Sequence, residues 1–297
     1  MVAALLVVTF AFPEHADAAA AVAPSLNSVL SVAAQKAFKG GVAGLAAGAA
    51  QVLAFMWLRT AMNVQYSRGG TLQDALSSLW REGGIRRLYQ GVELAIVQAP
   101  LARFGDTAAN TGVLAVLAVT APDVPLPLAT AVASTAGACW RLLITPLDAV
   151  KTARQVRGAD AVQLLAAKVQ DRGPLALYDG AVAAAAASWV GNFPWFLTFN
   201  TLQAHIPAAD GVLGLARNAA IGCAASAVSD TISNSLRVVK TIRQTASEDV
   251  SYAEAARQVI ATDGVTGLLG RGLGTRLLVN VAQGAVFSVL IKTLTPL

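Results

Sequence analysis

Two seven-residue stretches decide the fold: "AVKTARQ", Ala149 to Gln155, and "VVKTIRQ", Val238 to Gln244, which set Lys151 and Lys240 89 positions apart. A second landmark keeps the interval, because "RRLYQG" ends at Gly91 and "LALYDG" at Gly180, again 89 positions apart. Two unrelated landmarks sharing one period mark a repeated unit, and a unit of this length and apolarity does not bury its own surface alone. A third copy is placed by "MNVQ", ending at Gln65, 90 positions before Gln155, and by "LLGRG", ending at Gly272, 92 positions after Gly180. The chain divides into an N-terminal segment, 1–36, and three repeats, 37–121, 122–208 and 209–297.

Composition sets the solvent. Of 297 residues, 55% are hydrophobic and 13% charged, with mean hydropathy +0.57, so the deficit is in charge and most of the chain belongs in lipid. The net charge is +5, but Lys and Arg are scattered through short polar segments. That pattern excludes nucleic acid as a partner and favours anionic lipid or anionic solutes. Cys139, Cys223, His15 and His205 are isolated, which offers no disulfide framework, no metal site and no cofactor grip. The first 35 residues contain no Lys or Arg, against an Arg-rich presequence; the segment reads as poorly ordered or surface-lying, with a cleaved leader as the alternative.

Each repeat has the same internal order. An apolar helix opens on small residues, as in "GGVAGLAAG" from Gly40 to Gly48 and "STAGA" from Ser134 to Ala138, which let backbones approach closely in lipid. A polar connector follows with an amphipathic pattern: Leu72, Leu76, Leu79 and Trp80; Leu165 and Val169; Tyr252, Ala256, Val259 and Ile260. Spacings of three and four predict a short helix along the interface. A second apolar stretch ends each unit, long enough for the roughly 20 residues of a spanning helix. The expectation is an all-α membrane protein of six transmembrane helices in three pseudo-threefold repeats, with short interfacial helices on one side.

These residues resemble the mitochondrial carrier family, whose repeats carry Px[DE]xx[KR] on the odd helix, then an acidic-Gly segment and an aromatic-basic-Gly. Repeat two matches best, with Pro146, Asp148 and Lys151 in "PLDAVKTARQ"; in repeat three Ser235 and Arg237 replace proline and acid, and Lys240 remains. In repeat one, Met56, Leu58 and Ala61 fall at the signature positions. The resemblance implies a kink at Pro146 and a matrix-side gate of ion pairs, each acid reaching the base of the next repeat. Asp148 then pairs with Lys240, while Lys151 and Arg237 find no partner, leaving the ring at +2. For the opposite gate the resemblance offers only Asn200 and Gln203, amides where charges are expected. Substrate contacts on the even helices fall at Val97 with Gln98, Gly191 with Asn192, and Val279 with Asn280. No arginine stands there, so a strong dianion site is not expected.

Helical periodicity adds Gln51, Arg141 and Asp230, seven residues before the signature acid positions and so on the same face. Arg141 and Asp230 are candidates to pair with each other or to share a zwitterionic solute. Arg103 and Asp106 read as a self-satisfying pair, and Trp189 and Trp195 as interface or packing residues. The resemblance further implies cardiolipin at the landmark glycines, favoured at Arg271 and Gly272, possible at Gly91 and repelled by Asp179 at Gly180. The functional expectation is a carrier of a small polar metabolite in the mitochondrial inner membrane, with the plastid envelope as the other location. The alternative is a transport-inactive subunit of a membrane complex. No nucleophile and base constellation points to an enzyme.

Overall fold

The computed structural model describes Ser31 and residues 51–294; the N-terminal segment and the small-residue run from Gly40 to Gly48 lie outside them. Among the described residues there are helices and turns and no strand. Helix α1 runs through residues 51–68, followed by α2 (Leu72–Leu88), α3 (Val92–Thr120), α4 (Leu126–Leu143) and α5 (Thr145–Arg157). Then come α6 (Ala161–Arg172), α7 (Ala181–His205), α8 (Gly211–Thr245), α9 (Tyr252–Gly270) and α10 (Leu273–Leu294). The amphipathic connectors are the short helices α2, α6 and α9. Thr71 starts α2 with a capping box to Asp74, and Ser251 starts α9 by accepting from the Glu254 amide.

Proline decides which odd helix breaks. At Pro146 the missing N–H removes one ladder bond; Ile144 leaves helical geometry, and the segments Leu128–Leu143 and Thr145–Arg172 meet at 63°. The Thr145 hydroxyl donates to the Arg141 carbonyl at 2.8 Å beside the break. Ser235 stands 89 residues further on, and there α8 runs unbroken for 35 residues.

Consecutive helices pack into a closed ring. Contacts join α3 to α4, α4 to α7, α7 to α8 and α8 to α10. Met56 and Val52 of α1 pack with Ala95 of α3, and Phe55 and Leu58 of α1 pack with Val279 of α10, which closes the circle. Outward positions carry exposed apolar side chains such as Leu101, Phe193 and Leu278, an arrangement stable only against lipid or another apolar surface. By length and apolarity, Gly211–Thr245 suffices to cross a membrane and the bent α4 pair makes a second candidate. The inner faces of the long helices carry charges, amides and small residues along a central cavity.

The structure corrects the register of repeat one. Its odd helix superposes on repeat two at 89 positions, not 90. Gly69 and Gly158, both with positive φ (79° and 71°), follow Arg68 and Arg157. Arg68 donates to the Val156 carbonyl at 3.0 Å, and Arg157 donates to the Thr245 carbonyl at 2.8 Å. In the third repeat Ala246 takes the place of that arginine, and Arg271 instead reaches the equivalent carbonyl, Ser67, at 3.4 Å. The same carbonyl of every repeat thus receives a guanidinium from the repeat before it.

Candidate functional site

With this register the signature positions of repeat one are Trp57, Arg59 and Met62, not Met56, Leu58 and Ala61. Leu58 and Ala61 are packed in apolar clusters, whereas Arg59 and Met62 line the cavity. The cavity, of about 530 Å³, receives side chains from α1, α3, α4, α5, α7, α8 and α10. Counted from the landmark glycines Gly91, Gly180 and Gly272, residues four, seven, eight and eleven further on line it in all three repeats. That spacing is one face of a helix, so each even helix presents the same face inward at the same depth.

Among the described residues, six cations and three carboxylates face this space: Arg59, Arg141, Lys151, Arg237, Lys240 and Arg276 against Asp106, Asp148 and Asp230. The difference is three positive charges in one water-accessible hollow. At its closed end, Asp148 is held by Lys240 from the next repeat and by Lys151 from its own helix at 2.8 Å. Lys151 also donates to Gln98 at 3.1 Å, and Gln244 Nε2 reaches Asp148 at 3.4 Å. Gln155 accepts from Asn63 at 2.5 Å, bracing the junction between the first two repeats. The ring positions thus hold Arg59, Lys151, Arg237 and Lys240 against Asp148, a net of +3 where the one-residue slip had given +2. Lys151 is partnered after all, by falling back on the acid of its own turn.

Higher in the wall the pairing differs from the expected one. Arg141 does not meet Asp230; it pairs with Asp106 across α3 and α4. Asp106 therefore serves a neighbouring helix, and the Arg103 side chain lies outside the described ones. Asp230 sits 2.6 Å from Arg276 and 3.5 Å from Arg237, and accepts from Asn280 at 2.6 Å. Arg276 was missed by the sequence reading. Its signal was available: it lies four residues after Gly272, where the other repeats have Ala95 and Ala184.

Of the remaining candidates, Gln98, Gly191, Asn192, Val279 and Asn280 line the cavity. Val97 does not: it is 51% exposed on the outer face, one residue out of phase with Gln98. Gln51 is absent from the wall. The Gly191 carbonyl is taken by the Ser229 hydroxyl at 2.8 Å, where α7 and α8 approach closely. Gln203 is engaged away from the cavity, accepting from Arg217 at 2.5 Å and donating to Asn218 at 3.3 Å, and the Asn200 side chain lies outside the described ones. Trp195 lines the cavity, donating to Ser226 at 3.2 Å and stacked on Phe199.

The landmark glycines have a packing function. A Cβ on Gly91 would meet the Lys151 carbonyl at 3.3 Å, on Gly180 the Lys240 carbonyl at 2.8 Å, and on Gly272 the Met62 carbonyl at 3.2 Å, so each even helix starts against the odd helix of the next repeat. Arg271 turns inward to Asp263 at 2.8 Å, and Asp179 is enclosed by Arg172 at 2.7 Å, Lys168 at 3.1 Å and Arg243 at 3.5 Å. Both side chains are thus engaged by neighbours within the protein. Burial works against ionisation of Asp179, but the hydrogen bonds and charges of Arg172 and Lys168 outweigh it and hold the carboxyl below the usual carboxylate range.

A family model described as mitochondrial carrier protein matches residues 123–209 and 211–296. The chain belongs to the mitochondrial carrier family. Membership carries the six-helix carrier fold, embedding in a membrane and solute transport as the family's activity. No curated protein matches the chain. In this carrier the two matched segments are the repeats that keep Lys151 and Lys240 at the signature base; the first repeat has Met62 there.

Proposed function

We propose that this carrier moves a small, anionic polar metabolite across the mitochondrial inner membrane by alternating access, without chemical change to the solute. One observation carries the reading: among the described residues, six cations and three carboxylates line a cavity of about 530 Å³. A small anion entering it meets an attractive field in surroundings where charge is weakly screened. Arg276 supplies a guanidinium at substrate depth, which revises the expectation that no strong anion grip is present. The lining amides Gln98, Asn192 and Asn280 supply hydrogen bonds that fix orientation. Bound anion lowers the repulsion that opposes closure of the ring, which makes closure depend on the solute.

The transport-inactive reading rests on the ring, where Arg59, Met62 and Arg237 replace the family's pattern in two of three repeats. A polar hollow supports transport over that role, since a scaffold has no need to keep nine charges in an apolar environment. The test is reconstitution in liposomes with a panel of labelled mono- and dicarboxylates, phosphate, amino acids and organic cations. Uptake of an anion that saturates and fails in Arg276→Gln is the expected result. Uptake of cations alone, or of nothing in either direction, overturns it.

A further inference from the structure

The junction between the third and first repeats has the same geometry as the junction between the second and third, with its charges changed. At the intact junction, the Asp148 carboxylate lies against Lys240 and receives the Nε2 of Gln244 from below. At the equivalent positions of the third-to-first junction, 89 after Asp148 and 178 before Lys240 and Gln244, stand Arg237, Met62 and Tyr66. The negative group is missing there. What remains are two guanidinium groups, Arg237 and Arg276, sharing the single carboxylate of Asp230.

Tyr66 supplies the second observation. It is 2% exposed, lines the cavity and is pinned with its ring against Gly272, and its hydroxyl oxygen faces the Arg276 guanidinium. A guanidinium only donates, so among the described residues the phenolic proton has no acceptor, a costly arrangement at the position from which Gln244 donates to a carboxylate.

We infer that Tyr66, Arg237 and Arg276 form an oxyanion subsite at the junction of the first and third repeats, in which a carboxylate or phosphate group of the solute takes the place of the missing gate carboxylate. The inference deepens the anion-carrier reading and rests on it. Guanidinium groups suit such ligands because their N–H forks match pairs of oxygens, and Asp230 with Asn280 holds Arg276 in position. The solute is thereby a structural part of the closed gate: its charge joins α1 to α8 and α10 as Asp148 joins α5 to α8.

The test is anion binding to the full chain in detergent, read by calorimetry and thermal unfolding, with inorganic phosphate and malonate as separate probes. Wild type is expected to bind at least one probe and to unfold at higher temperature in its presence. Tyr66→Phe, which keeps the ring and loses only the hydroxyl, is expected to weaken that binding about tenfold while the unliganded protein unfolds normally. Arg276→Gln is expected to abolish it, and Arg81→Gln, on the exposed face of α2, to leave it unchanged. Preference for malonate or for phosphate identifies the group that the subsite takes. If Tyr66→Phe binds as wild type does and Arg141→Gln removes binding, the subsite is overturned while the anion-carrier reading stands. If wild type binds neither probe and transports no anion, both fail together.

Discussion

Lys240 of the third repeat and Asp148 of the second form the ion pair that closes one end of the cavity, and Lys151 draws on the same carboxylate. One anion between two lysines is an asymmetric arrangement. Asp148→Asn leaves two ammonium groups facing each other in a buried site, and is expected to cost on the order of 3 to 5 kcal/mol in stability. Lys151→Gln leaves the pair with Lys240 in place and is expected to cost far less. Thermal unfolding of both variants in one detergent measures the difference; equal losses would show that Lys151, not Lys240, is the principal partner.

Gly180 and Gly91 have nearly the same backbone conformation, φ +80° with ψ 0° and φ +86° with ψ 10°, but different clearances. Alanine at either position meets left-handed strain of roughly 1 kcal/mol. At Gly180 the added Cβ also lies 2.8 Å from the Lys240 carbonyl, a backbone atom that has little room to give, while at Gly91 the Lys151 carbonyl stands 3.3 Å away. Gly180→Ala is therefore expected to lower the unfolding temperature beyond Gly91→Ala. Matching shifts would remove close approach as the reason for the difference.

The Asp179 cluster predicts a pH dependence of known sign. Its carboxyl is held below the usual range in the folded state, so its contribution is present above the ordinary carboxylate pKa of about 3.9 and is lost as pH falls through the lower folded value. Asp179→Asn is expected to destabilise the protein at pH 7, with the gap from wild type narrowing below about pH 4. A gap that stays constant from pH 7 to pH 3 contradicts this account.

The inter-repeat bonds predict a graded effect. Arg157 donates to the Thr245 carbonyl at 2.8 Å, and a charged donor of this kind contributes roughly 1.5 to 3 kcal/mol. Arg157→Gln is expected to lose about that much. Arg68→Gln is expected to cost less, because Arg87 also donates to the Val156 carbonyl, at 2.9 Å. Denaturation of the two variants side by side decides the order.

How far the residues alone carried the reading depends on their chemistry. The repeats were legible because Lys151 with Lys240 and Gly91 with Gly180 keep residue type and interval together. The first repeat slipped by one because Gln65 was matched to Gln155, when the backbone demand for positive φ at Gly69 and Gly158 was the firmer anchor. A one-residue slip on a helix turns the face by 100°, enough to trade the cavity-lining Arg59 for the packed Leu58. The same sensitivity separates Val97 from Gln98. Pairing was less legible than facing, since Arg141 chose Asp106 over Asp230 through the approach of α3 to α4, a contact that no single-helix pattern encodes.

The hydrogen bond from Arg271 to the Ser67 carbonyl spans 204 residues of chain. The acceptor comes from the first repeat and the donor from the last, so this bond cannot form in any fragment that lacks either end. Assembly is then a ring closed by its final member, and its closing bond reports that the whole chain has come together.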